Sequence, residues 1–173
     1  MGGTQSTQRT RRGEGDSAEA APMLPPELNA LSDRVIGCAI EVHRQLGPGL
    51  AEAIYEAALA RELELADLAF RQQVVFTREY KGVPLPVQRF DLVIEGRLLI
   101  ELKAVERVAD ASLAQLVSYL HYADLPLGLL INFHVPLLKN GIHRRVHSAC
   151  LARPIFPPSP SASSAASAFR SPC

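Results

Sequence analysis

"FDLVIEGRLLIELKAV", residues 90–105, reads as two apolar strands around a turn at Glu95-Gly96. Inside the strands stand three charged residues, Asp91, Glu101 and Lys103. Ionised side chains are rarely kept within a protein unless they are paired or hold a metal. This hairpin therefore decides both the fold and the chemistry. Side chains alternate along a strand, so Leu98, Ile100 and Leu102 take one face and Leu99, Glu101 and Lys103 the other. The face of Asp91 depends on register. A two-residue loop sets Asp91 against Ile100, facing away from Glu101. A three-residue loop, with Gly96 left-handed in a type I turn followed by a bulge, puts Asp91 on the Glu101 face.

Two carboxylates that converge repel each other, so one takes a proton or a cation sits between them. A hard divalent ion, Mg2+ or Mn2+, prefers oxygen ligands of this type, with waters completing its shell. Such an ion polarises a phosphoryl oxygen and lowers the pKa of a bound water. An amine at Lys103 can orient that water or stabilise charge developing on phosphate. An Asp followed by Glu-x-Lys on the next strand thus suits metal-dependent hydrolysis of a phosphodiester. The competing reading is an ordinary Glu101–Lys103 ion pair on a solvated face, which contributes little.

Upstream of the hairpin, "LSDRVIGCAIEVHRQLGPG" predicts a helix capped by Ser32, with Val35, Ile36, Ala39, Ile40, His43 and Leu46 along one stripe. Gly47-Pro48-Gly49 stops it. A second helix begins near Leu50, rich in alanine, leucine and glutamate. Its Glu52 and Tyr55 share a face, although an acid in a first turn also serves the helix dipole alone. "QQVVFTREY" predicts a strand, ended by a turn at Lys81-Gly82.

Downstream, Asp110 can cap a third helix, "ASLAQLVSYLHYA", on which Gln115 and Tyr119 share a face while Leu113, Leu116 and Leu120 form an apolar stripe. Gln115 suits holding a water or phosphate, or simply a helix–sheet boundary. "LGLLINF" predicts a strand buried on both faces, running parallel to the hairpin's second strand after the helical crossover. A short strand or helix follows around Ile142–His147. The order ααβββαβ predicts an α/β fold with a mixed sheet of about four strands flanked by helices.

Size and composition set the bounds. The chain has 173 residues, 47% of them hydrophobic, enough for one domain with a core. Lysine and arginine number 18, as do aspartate and glutamate, so no global basic field announces nucleic acid or an anionic membrane. Three cysteines fit neither a disulfide framework nor a zinc pattern, which predicts a reducing, cytoplasmic setting. No apolar run approaches the roughly 20 residues needed to span a bilayer. Residues 1–27 and 151–173, rich in Gly, Ser, Pro and Ala, read as disordered tails around a domain at 28–150.

Four motifs in order, "AIEVHRQLGPGLAEAIYEAAL", "FDLVIEGRLLIELKAV", "AQLVSYL" and "GLLINF", resemble the GxxExxY protein family of the PD-(D/E)XK nuclease superfamily. The resemblance covers about residues 31–147 and implies a restriction-endonuclease-like fold. It implies Asp91 as the acid of the "PD" element and Glu101 and Lys103 as the (D/E)XK element. Glu52 would be the acid that completes the metal site, and Gln115 and Tyr119 the downstream helix motif. Phe90 stands where the superfamily label has proline. The implied activity is cleavage of DNA or RNA with Mg2+ or Mn2+. A single domain of this size has no separate specificity domain, which points to a homodimer or a partner protein. The rival is a non-catalytic module that binds nucleic acid or protein on the same fold, favoured by the lack of net positive charge.

Overall fold

A computed structural model of the chain describes residues 24–151. The two tails, apart from residues 24–27 and 151, lie outside the described residues. The first helix, α1, spans Pro26–Leu46 and so begins before the expected boundary. Proline's fixed φ and missing N–H suit a first helical turn, and the chain starts the helix there without a side-chain cap. Ser32 consequently lies inside the helix, where its hydroxyl donates to the Asn29 carbonyl at 2.8 Å. The buried face runs through Leu28, Leu31, Val35, Cys38, Ala39 and Val42. Ile40 and Leu46, which the sequence stripe included, are turned to solvent at 46% and 40% exposure.

Helix α2 (Glu52–Leu65) packs on α1 and buries Tyr55, Leu59, Ala60 and Leu63. Strands β1 (Phe70–Phe76), β2 (Glu79–Tyr80), β3 (Val83–Pro84), β4 (Gln88–Ile94) and β5 (Leu98–Lys103) follow. Helix α3 (Asp110–Ala123) crosses over to β6 (Leu127–Asn132), and β7 (Ile142–Val146) closes the domain. Asp110 opens α3 from within its first turn and makes no capping bond; its charge there still favours the helix dipole. The central sheet has five strands in the order β1-β4-β5-β6-β7, the segment after β6, expected as a short strand or helix, pairing as an edge strand. The β2–β3 hairpin forms a separate two-stranded sheet. Strand β5 runs parallel to β6, as the helical crossover requires, and the other neighbours are antiparallel.

Each face of the sheet has its own core. Leu92, Ile94, Leu98, Ile100 and Leu102 pack with Leu129 and Ile131 under α1 and α2. Val93, Leu99 and Leu130 pack under Leu116 and Leu120 of α3. Gly128 lets α3 lie this close, since a Cβ there would stand 3.0 Å from Leu116 Cδ1.

The β4–β5 loop settles the register. Leu92 pairs with Ile100, Val93 with Leu99 and Ile94 with Leu98, leaving a three-residue loop at 95–97. Gly96 is left-handed as required, at φ 64°, but so is Glu95, at φ 54°. The loop is thus not the expected type I turn, yet its three-residue length sets the register that brings Asp91 opposite Glu101.

Strands β1 and β4 share a second irregularity. Phe70 packs toward α1 and α2, but Val74 and Phe76, of the same parity, pack toward α3. Along β4, Leu92 and Ile94 face α1 and α2 while Phe90 faces α3. Both strands therefore exchange faces at one rung, where the register brings Gln73 opposite Asp91. Gln73 sits there at φ 48°, a left-handed conformation that ordinary side chains adopt only at a cost. Because of this exchange, Asp91 emerges at the seam between the two layers.

Candidate active site

The site forms where β4 and β5 come apart. Their paired ladder ends at Leu92–Ile100. Beyond it, the Asp91 carboxylate, rather than a backbone carbonyl, accepts the Leu102 N–H at 2.8 Å through Oδ2. Glu101 and Lys103 follow on β5, with Leu102 between them anchored in the α1–α2 core. Lys103 Nζ donates to Glu101 Oε1 at 2.7 Å and to the Leu102 carbonyl at 2.8 Å. This pair is no loose surface contact: the side chains are only 22% and 13% exposed.

Glu52 comes from the other side, as the first residue of α2. Its helix start is fixed by Tyr55, which is fully buried. The Tyr55 hydroxyl donates to the Gly47 carbonyl at 2.7 Å and accepts from the Leu50 N–H at 3.1 Å, while its ring stacks on Phe133 at 4.4 Å. The Gly-x-x-Glu-x-x-Tyr spacing therefore has a mechanical meaning, since the tyrosine ties the turn that aims the glutamate.

Electrostatically the groups form one neighbourhood. Burial pushes the Glu101 carboxyl above its ordinary value; the hydrogen bond from Lys103 opposes this, and Asp91 and Glu52 add to it. Burial also raises Glu52, against Lys103 and the Ala104 backbone N–H, with Asp91 and Glu56 contributing in the same direction as burial. For Lys103, burial works against the ammonium, but Glu101, Glu52 and Asp91 outweigh it and the pKa rises. Tyr119 joins from α3: burial raises its hydroxyl, as do Glu101 and Asp91, against Lys103. Its ring lies 4.8 Å from that of Phe90. Gln115 reaches the site through Tyr119, donating to its hydroxyl at 2.7 Å from an exposed position on α3.

All six residues singled out in the sequence thus converge on one end of the β4–β5 hairpin, Gln115 by way of Tyr119. Among the described residues, no group of three or more His, Cys, Asp and Glu side chains is arranged to hold a metal ion. The acids still fit a hard divalent ion. Mg2+ commonly binds through one or two carboxylates, with waters and substrate phosphate completing its octahedron. Asp91 and Glu101 each use one oxygen in the bonds above, and the second oxygen of each has no hydrogen-bond partner among the described residues.

Three contributors escape the sequence reading. Gln73, opposite Asp91, donates from Nε2 to both oxygens of Glu56, each at 2.9 Å, one turn along α2 from Glu52. Nothing in the sequence marks its backbone. Ala104 acts through its N–H, invisible in any side-chain motif. Asn132 was visible in principle, as the lone polar residue in "LGLLINF". It is 2% exposed, pairs in register with Lys103 and clamps the strand exit. Its Oδ1 accepts from Val105 N–H at 3.1 Å and His134 N–H at 3.2 Å, and its Nδ2 donates to the Val105 carbonyl at 2.7 Å.

A family model described as the PD-(D/E)XK nuclease superfamily matches residues 29–145. That is well over half the chain, and the protein belongs to the PD-(D/E)XK nuclease superfamily. Neither a comparison with curated proteins nor one with solved structures gives a match. The α/β architecture agrees with the restriction-endonuclease-like fold, and nucleases of this superfamily generally use divalent metals. Among the described residues, no helix is long and apolar enough to cross a membrane.

Proposed function

We propose that this chain hydrolyses phosphodiester bonds of DNA or RNA with Mg2+ or Mn2+, and that it is a GxxExxY-type member of the superfamily. The observation that carries the reading is the convergence of Asp91 and Glu101 at one end of the hairpin, with Lys103 bonded to Glu101 and Glu52 within electrostatic reach. Asp91 and Glu101 would hold the ion and Glu52 would stand by; when bound, the ion supplies a polarised phosphoryl oxygen and a water of lowered pKa.

The raised pKa of Lys103 keeps it an ammonium, so it acts as a donor that orients water or steadies phosphate charge, not as the base. Tyr119 likewise keeps its proton and can donate toward a phosphate oxygen, held in place by Gln115. Water oxygen bonds to phosphorus, the P–O bond to the leaving nucleotide breaks, and the products are a phosphate monoester and a hydroxyl. The equal numbers of acidic and basic residues favour a local contact with nucleic acid over a broad basic surface, and with it a homodimer or partner protein that extends the grip. The cysteine usage supports a cytoplasmic setting.

Calorimetric titration of Mn2+ into the wild type and Glu101→Gln, followed by incubation with single- and double-stranded DNA and RNA, tests the reading. We expect metal uptake and cleavage in the wild type, and a loss in Glu101→Gln of about 1,000-fold in rate, equivalent to about 4 kcal/mol. Nucleic-acid binding without metal and without cleavage would replace the nuclease by a binding module. Absence of both would reduce Glu101–Lys103 to a structural ion pair.

A further inference from the structure

Close along the chain to the carboxylates lies an open cavity of about 360 Å³, lined by Pro48, Gly49, Glu106, His134, Val135 and Pro136. This is at the lower end of the range for small-ligand sites. It is continuous with the site along the chain. Gly49 precedes Glu52 by three residues, and Glu106 follows Lys103 by three, within about 11 Å even if that segment is fully extended. His134 follows Asn132, the rung partner of Lys103. We propose that this cavity receives an unpaired nucleobase next to the scissile phosphate and selects bases whose pairing edge sets an exocyclic amine beside an acceptor ring nitrogen, cytosine and adenine over thymine and uracil.

The lining argues for a base and against a phosphate. It contains no lysine or arginine, and its one charge is the Glu106 carboxylate, which repels an anion. Pro48, Val135 and Pro136 offer apolar surface to the faces of a flat ring. Glu106 and His134 supply an edge. Their side chains have no hydrogen-bond or ion-pair partner among the described residues, so both remain available to a ligand. A carboxylate accepts from an exocyclic amine, and an imidazole N–H can donate to the adjacent ring nitrogen. Cytosine and adenine present this donor and acceptor side by side; thymine and uracil present them in the opposite order.

The cavity is also built in advance. The Asn132 clamp fixes the Val105 and His134 backbones. His43 Nε2 bonds the Val135 carbonyl at 2.8 Å, and Tyr55 pins the Gly47–Leu50 turn. Gly141 approaches so closely that a Cβ would stand 2.2 Å from the Asn132 carbonyl oxygen. All three wall segments are therefore tied down by buried or half-buried side chains. A base can offer its pairing edge here only when it is out of a duplex stack, which points to single-stranded or flipped-out substrate.

This inference rests on the nuclease reading, and the test separates the two. Fluorescence anisotropy with labelled cytidine, adenosine and thymidine deoxynucleotide decamers, in EDTA so that nothing is cut, gives the affinity of the full chain for each. The wild type should bind the cytidine and adenosine decamers about tenfold more tightly than the thymidine decamer. Glu106→Gln should bring that ratio close to one while its Mn2+ uptake stays at the wild-type level, and His134→Ala should lower it in part. Equal affinities in the wild type, or a preference that survives Glu106→Gln, overturn the base site; cleavage of the same decamers in Mn2+ would then leave the nuclease reading standing. No binding of any decamer overturns the base site, while cleavage of duplex DNA or of RNA in Mn2+ still decides the nuclease reading separately.

Discussion

The two ends of the β4–β5 hairpin are built on opposite terms. At the turn, Ile94 and Leu98 face each other in an unbroken ladder, both fully buried. A few residues away, at Asp91 and Glu101, the backbone ladder stops and a carboxylate takes over one of its bonds. The closed end gains from burying hydrocarbon. The open end holds the partly dehydrated Glu101, with Glu52 beside it, and burial raises both carboxyls, an arrangement that costs stability and is typical of functional sites. One hairpin thus divides its labour along its length, with the apolar end holding the charged end in register.

The sharpest way to break this comparison is to injure each end in turn. Leu98→Ala removes a fully buried side chain and should cost about 2–5 kcal/mol in urea unfolding, with cleavage per folded molecule little changed. Asp91→Asn keeps an oxygen that can accept the Leu102 N–H, so stability should move by less than about 1 kcal/mol, while single-turnover cleavage drops by about 1,000-fold. If Asp91→Asn unfolds the domain as readily as Leu98→Ala does, the division of labour is wrong.

A smaller effect follows from pH. A carboxyl whose folded pKa is raised contributes stability below its unfolded value and loses that contribution as pH rises through the folded value. For Glu101 and Glu52 the loss therefore begins above their ordinary 4.5. The urea midpoint of the metal-free wild type, measured against Glu101→Gln, should decline over that window. Mn2+ uptake should strengthen over the same window and release protons, because the metal requires the ionised acids. A wild-type-minus-variant difference that is flat with pH would remove burial of Glu101 from the account.

The smallest effect is expected at the closed end. Glu95 is left-handed without being glycine, so Glu95→Gly should stabilise by about 1 kcal/mol, and Gly96→Ala, at φ 64°, should destabilise by about as much. Neither should alter the rate of cleavage.

How much of this was legible follows from the same hairpin. The face shared by Glu101 and Lys103 came straight from strand alternation. Two registers for Asp91 remained open because local turn chemistry could not choose between them, Glu95 being an unlikely left-handed residue. A longer-range signal was present. Leu92 and Ile94 share one parity, as do Leu98, Ile100 and Leu102, and only the three-residue loop puts all five in one core. The last element stays open between strand and helix in the sequence because "IHRRV" carries no apolar alternation; it becomes β7 by pairing with β6. The start of α1 was misplaced because Ser32 looked like a cap while Pro26 supplied the true beginning. What the sequence hid at the site was backbone: the Ala104 N–H against Glu52 and the left-handed turn of Gln73 are set by packing between distant segments.

The exchange of faces at Gln73 and Asp91 has a consequence for tracing kinship. A comparison that threads distant chains by strict inward–outward periodicity will slip by one position on passing that point. Half of β1 and β4 will then be matched out of phase, and Asp91 will be filed among the core. Allowing a phase slip there, in both strands together, should bring more remote members of this group into alignment.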